Sequence, residues 1–306
     1  SLAPEFNEMT GFTEDEVTLK SDVEWSLSKK IVPFMSWNLL GGLSWMLCTQ
    51  GLSILINMFF GPVANAAKAI ADKVNSSING FSNNFMMAVQ PQVVKTYAVG
   101  DYDAMHKVIY LASRMSFFLM MVLTLPISFN ADGILSLWLE KHDNLTTIML
   151  QTVLSFSLIS ALEVPINQAI RATGNIRNYQ LYVGLITVMV LPLALLFFKM
   201  NMPAYYGYVA LIVIYGLAYL FRLYFLKKQI YISYIQYFNK VLCSCVGSLV
   251  LVVFTLFLVG LIPKFKGAHV LLRYIICLLL TMLIIIMIGL NKKEKRTIKR
   301  IILKRK

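Results

Sequence analysis

The chain has 306 residues, 58% of them hydrophobic and only 14% charged, with a mean hydropathy of +0.68; this excludes a water-soluble globular domain and points to an integral membrane protein. The net charge of +13 would suit a nucleic-acid binder. The basic residues, however, cluster between apolar runs and in the C-terminal tail, as in loops facing the cytoplasm, and no nucleic-acid partner is expected.

Residues 1–20 are polar and read as a loose segment. Ser21-Asp22-Val23-Glu24 has capping-box spacing. It opens either an amphipathic helix, with Trp25, Leu27 and Ile31 on the apolar side and Lys29 and Lys30 as interfacial anchors, or a solvated linker. Eight apolar runs follow, at 36–60, 63–91, 108–130, 148–170, 179–199, 204–226, 241–262 and 271–290. Each supplies the ~20 residues needed to cross the hydrocarbon layer, and runs of this length lack the alternation of a barrel strand. The expected fold is therefore an all-α integral membrane protein with about eight transmembrane helices. Its parts are a segment with an amphipathic helix (1–35), six spans (36–226), two further spans (227–290) and a basic tail (291–306). Pro126 and Pro192 are expected to kink their spans.

With eight crossings both termini share a side. Twenty-one Lys and Arg fall on that side and five on the other, which makes both termini cytoplasmic and the protein a multi-pass component of the cytoplasmic membrane. The sequence opens at Ser1 with neither an initiator Met nor a signal peptide, so a truncated polypeptide is expected. Cys48, Cys243, Cys245 and Cys277 lie in predicted spans without metal-ligand spacing and read as packing residues.

The second run carries the main functional signal. Asn65, Lys68, Asp72, Ser76, Asn79, Asn83 and Gln90 recur at three-, four- and seven-residue steps, which stacks them on one helix face. A charge facing lipid at mid-bilayer costs about 2.5–3.5 kcal/mol on insertion scales, so this face must meet water or protein. The first run repeats the pattern with Asn38, Trp45, Thr49, Ser53 and Asn57, and the turn Gly61-Pro62 would aim both stripes at one cavity. The alternative is plain helix–helix hydrogen bonding by Asn, Ser and Thr.

In the fourth run, Glu163 precedes Pro165, Asn167 and Arg171. A carboxylate beside a helix break is a candidate for proton coupling, or else makes a static contact with Arg171 or Asn167. Asp101-Tyr102-Asp103 allows two readings, a nucleotide-sugar metal site and a helix cap at Asp101. Asn144-Leu145-Thr146 is a glycosylation sequon. The last two runs are nearly all aliphatic and read as lipid-facing, while the tail reads as a segment on an anionic leaflet or a stop-transfer anchor.

The stretches WNLLGGLSWMLCTQGLSILINMFFGPVANAAKAIADKVN, NNFMMAVQPQVVKTYAVGD, SRMSFFL and PINQAIRATGNIRNYQ, with the basic tail, resemble the C-terminal half of Wzx-type polysaccharide flippases of the multidrug/oligosaccharidyl-lipid/polysaccharide exporter superfamily. The resemblance implies a two-lobed, alternating-access transporter of polyprenyl-diphosphate-linked oligosaccharide for surface polysaccharide or lipopolysaccharide synthesis. On this resemblance no enzymatic activity and no cofactor are expected. The first six spans would form its C-terminal lobe, the last two would be additional helices, and 1–35 would connect the lobes. The N-terminal lobe is missing and would be supplied by upstream sequence or a partner chain; membrane lipids are further partners. Asn38, Thr49, Ser53, Asn57, Asn65, Lys68, Asp72, Ser76, Asn79, Asn83 and Arg171 would line the cavity. Lys68, Lys73, Arg171 and Arg177 are the candidates for holding the diphosphate, and Glu163 for ion coupling. A multidrug exporter of the superfamily, a membrane glycosyltransferase and a non-transporting assembly partner are the alternatives.

Overall fold

The computed structural model describes residues 14–139, 142–262, 269–289 and Glu294, with side chains from Val32 onward. No strand occurs among the described residues. The first helix, α1, runs Glu14–Ala98, 85 residues in one hydrogen-bonded succession. A straight helix of that length would be about 127 Å long, roughly four times the hydrocarbon thickness. It does not run straight. Gly61 takes φ 79° and ψ −178°, a conformation reserved almost entirely for glycine. Pro62 enforces the break, because the residue before a proline is pushed out of the helical region. Thr49 and Asn79 then line the same cavity, although thirty helical residues would hold them about 45 Å apart. The arms 14–60 and 62–98 are therefore folded against each other.

The helix starts upstream of the capping box at Ser21. Nothing between Glu14 and Ser21 is a glycine or proline, so the helix propagates through the expected start. Residues 1–13 of the expected loose segment lie outside the described residues, as does the tail except for Glu294.

After α1 come α2 (Tyr102–Phe129), the short α3 (Ala131–Trp138) and α4 (Asn144–Ala172). Asp101 caps α2, accepting from the Ala104 amide at 2.9 Å. Thr146 of the sequon is buried in the first turn of α4, where its hydroxyl donates to Asp143 at 2.8 Å. Pro165 lies inside α4 without ending it, so the expected helix break beside Glu163 is absent. The fifth run is two helices, α5 (Arg177–Val188) and α6 (Val190–Lys199), separated at Met189. The interruption lies one turn before Pro192, which has no N–H for the Val188 carbonyl four residues back. Then follow α7 (Tyr206–Ile230), the turn α8 (Tyr234–Tyr237) with a π-turn at Phe238–Leu242, α9 (Cys243–Gly260), and α10 (Val270–Ile284) with a terminal π-turn at Ile285–Gly289.

Among the described residues seven helices are long and apolar enough to cross a membrane, the first being the 67-residue stretch Val32–Ala98. They make a multi-pass membrane bundle. Its centre is α4, packed against α1, α2 and α7 and burying Met149, Leu150, Val153, Ile166, Ala169 and Ile170 almost completely. Buried Ala64, Ala67 and Ala71, small residues at helical spacing, let the second arm of α1 approach its neighbours closely. The helices α9 and α10 pack on α2 and on each other. Their approach is tight: a Cβ on Gly289 would sit 2.8 Å from the Phe118 ring.

Candidate functional site

Three cavities follow one another along α4. The first, about 400 Å³, lies between both arms of α1, α4 and α7. Thr49, Lys68, Asp72, Ser76, Asn79 and Asn83 of the expected stripes line it, with Asn75, Ser82, Ser160 and Tyr208. The second, about 310 Å³, holds Glu163, Asn167, Arg171, Gln180 and Arg222. The two have Trp45, Ser160 and Val164 in common. The third, about 730 Å³, holds Asn38, Gln90, Gln168 and Arg171 and shares Gly42 and Arg171 with the second. From Val153 in the first to Ala172 in the third is nineteen residues of α4, about 29 Å of helix and nearly the full hydrocarbon depth.

In the first cavity Lys68 Nζ reaches Asp72 Oδ2 at 2.6 Å, one turn away on the same face. The lysine side chain is 5% exposed, whereas that of Asp72, which lines the same cavity, is 41% exposed. Tyr208 donates its hydroxyl to Asp72 Oδ1 at 2.6 Å, so α7 holds the other carboxylate oxygen. Asn75 Oδ1 accepts from Ser157 and, at 3.0 Å, from the Asn79 amide. Ser82 and Ser116 pair at 2.9 Å. The hydroxyls of Thr49, Ser53 and Ser76 donate back to carbonyls of their own helix, leaving their oxygens mainly as acceptors.

In the second cavity Glu163 pairs with Arg222, not with Arg171 or Asn167. Nη1 of Arg222 lies 2.5 Å from Glu163 Oε1, with side-chain exposures of 6% and 3%. Arg222 Nε donates to the Tyr179 hydroxyl at 3.3 Å, and Tyr179 in turn donates to Asn167. The guanidinium also lies 5.4 Å from the centroid of the Tyr215 ring. Between the first two cavities stands an aromatic cluster. Trp45 stacks on Phe156 at 6.3 Å and meets the edge of Tyr215 at 5.8 Å, while Phe156 and Tyr215 cross at 5.0 Å.

Ser53, Asn57 and Asn65 line none of these three cavities. Asn57 is exposed near the Gly61 break, and Ser53 and Asn65 are half-buried. Lys73 is exposed, and its carbonyl accepts from Ser76 and Ser77 at 2.9 and 3.0 Å. Arg177 stacks over Trp37 at 5.5 Å. Asn75 was missed, although its spacing, three residues after Asp72 and four before Asn79, was a signal for it; Ser157, Tyr208 and Arg222 carry no local signal, because they arrive from other helices.

The second arm leaves Lys73, Ser76, Ser77, Asn83 and Asn84 exposed on the surface of the chain. Lys73 lies twelve residues past the Gly61 break, about 18 Å along the helix axis. A lysine against acyl chains at mid-bilayer costs about 2.5–3.5 kcal/mol, so in a membrane a face with this many polar groups requires water or protein beside it.

Among the described residues no group of three or more His, Cys, Asp or Glu side chains is arranged to hold a metal ion. Comparison with protein-family models, with curated proteins and with solved structures finds no match.

Proposed function

We propose that this chain is one lobe, with two additional helices, of a transporter that flips a polyprenyl-diphosphate-linked oligosaccharide across the cytoplasmic membrane by alternating access. Counting the arms of α1 on either side of Gly61 as separate crossings gives eight spans, with both termini in the cytoplasm. The observation that carries the reading is the succession of polar cavities along nearly the whole depth of α4. Sugar hydroxyls suit the acceptor oxygens of Thr49 and Ser76 and the amides of Asn79 and Asn83, since each hydroxyl both donates and accepts. Lys68 and Arg171 supply positive charge for the diphosphate. The exposed polar face of the second arm meets a complementary lobe or partner chain, which closes the passage. Glu163, paired with Arg222 in the second cavity, is the ion-coupling candidate, its charge state set by whether that pair is closed.

K68A and D72N, expressed in the intact gene, test the reading. Normal membrane abundance with lost surface polysaccharide is expected; normal polysaccharide in both variants removes it. A second reading rests on the Trp45, Phe156 and Tyr215 cluster, which suits an amphipathic cation as a multidrug exporter would bind it. Transport of cationic dyes but not of lipid-linked glycan by reconstituted protein favours this reading instead.

A further inference from the structure

The cytoplasmic half of α7 is flanked by two grooves on the outer surface of the bundle, away from the cavities along α4. One, about 480 Å³, runs between α5 and α7 and is walled by Tyr182, Leu220, Phe221 and Tyr224. The other, about 560 Å³, runs between α7 and the α8 turn and is walled by Leu220, Leu223, Ile235 and Phe238. Leu220 stands between them and belongs to both.

A lysine lines the first groove, and another contacts the wall of the second. Leu220, Tyr224 and Lys228 form one stripe at four-residue spacing, and Lys228 itself lines the first groove together with Asn178. Leu223 and Lys227 form the neighbouring stripe. Lys227 Nζ lies 4.6 Å from the centroid of the Tyr234 ring, which lines the second groove. Both lysines are exposed and occupy the last turn of α7. Being consecutive, they point about 100° apart, one toward each groove. From Leu220 to Lys228 the helix rises about 12 Å, within the ~15 Å hydrocarbon depth of a single leaflet.

We infer that this surface seats one anionic diacyl phospholipid of the cytoplasmic leaflet, with an acyl chain in each groove and the phosphate between Lys227 and Lys228. Two apolar grooves on either side of one helix fit two chains joined at a single headgroup. The two ammonium groups on the last turn of α7, one beside each groove, select a negative headgroup. The inference rests on the membrane placement proposed above but on no property of the cargo. The lipid is retained by the protein, outside the passage.

The test is native mass spectrometry of the purified full chain from micelles holding equal amounts of phosphatidylglycerol and phosphatidylcholine. Phosphatidylglycerol adducts should exceed phosphatidylcholine adducts roughly tenfold or more, the scale of two surface cations acting on an anionic headgroup. K227Q/K228Q should bring the two lipids level, whereas K95Q/K107Q, which removes equal charge from exposed positions elsewhere, should leave the preference intact. L220W, at a surface position on the shared wall, should reduce retention of phosphatidylglycerol. Equal retention of both lipids by wild type overturns the inference, as does an unchanged preference in K227Q/K228Q. It is equally overturned by loss of preference in K95Q/K107Q or by unchanged retention in L220W. Displacement of phosphatidylglycerol by an equal amount of polyprenyl phosphate would assign the grooves to a transported lipid and overturn it too. The readout is lipid retention, so its failure is distinct from a failure of the transport reading.

Discussion

Substituting Glu163 isolates the buried pair at the centre of the bundle. Its partner Arg222 is 6% exposed and donates from Nη1 to Glu163 Oε1 at 2.5 Å. The other contacts of the guanidinium, the Tyr179 hydroxyl at 3.3 Å and the Tyr215 ring at 5.4 Å, exist already in the wild type and cannot replace a lost carboxylate. A guanidinium cannot discharge itself by releasing its proton. Removing one member of a buried pair costs about 3–5 kcal/mol, or roughly two to three and a half powers of ten in the unfolding equilibrium. E163Q keeps an acceptor in place and should fall near the lower figure of about 3 kcal/mol; E163L keeps none and should approach about 5 kcal/mol. R222M should cost less than E163L, because an orphaned carboxyl can take up a proton. The double variant E163L/R222M, an apolar pair of similar bulk, should return to within about 1 kcal/mol of wild type. Reversible unfolding in mixed micelles, followed by helical circular dichroism, gives all four values. A cost below about 1 kcal/mol for E163L, or a double variant no better than E163L, would refute the reasoning.

The remaining predictions concern the hinge, the carboxylate clamp and a helix cap. G61A should destabilise by about 1–3 kcal/mol, because φ 79° with ψ −178° is strained for any residue with a Cβ. G80A, in a helix interior with open space around it, should have the opposite sign and stabilise by about 0.5–1 kcal/mol, so similar effects at both positions would contradict the hinge assignment. Y208F removes the hydroxyl that donates to Asp72 at 2.6 Å. A hydrogen bond to a charged group contributes about 1.5–3 kcal/mol, and with the Asp72 side chain 41% exposed, water should hold the loss to the lower figure. Thermal unfolding of Y208F beside wild type measures it. At the start of α4, the Thr146 amide and hydroxyl donate to Asp143 and hold its carboxyl below the usual carboxylate range. A lowered folded pKa means that the cap's contribution is complete above the unfolded value of ~3.9 and is lost as pH falls through the folded value. The stability gap between wild type and D143A should therefore be constant from neutral pH to about pH 5 and close below pH 4, and a gap that widens on acidification would reverse the sign.

The sequence made the helices legible because bilayer thickness imposes a length that apolar runs must meet, and because lysines gather at helix ends. It showed half of the site for a similar reason: Lys68, Asp72, Asn79 and Asn83 share one helix, and helical spacing alone sets their common face. Asn65 has the same spacing yet lines none of the three cavities. Spacing fixes direction around the axis but not depth, and Asn65 lies only four residues past the break. The partner of Glu163 was out of reach. Arg171, two turns along the same helix, was the local choice, whereas Arg222 lies 59 residues away on α7 and is brought in only by packing. The short helix Ala131–Trp138 and the interruption at Met189 were similarly hidden inside or between apolar runs. Hydropathy has no means of marking such interruptions.

The rings of Trp45, Phe156 and Tyr215 have a consequence for water inside the bundle. An unbroken column of water from one face of a bilayer to the other would pass protons freely. Because these rings part the first chamber from the second, water filling one need not join water filling the other. Two polar chambers can therefore lie end to end along α4 with an aromatic partition between them.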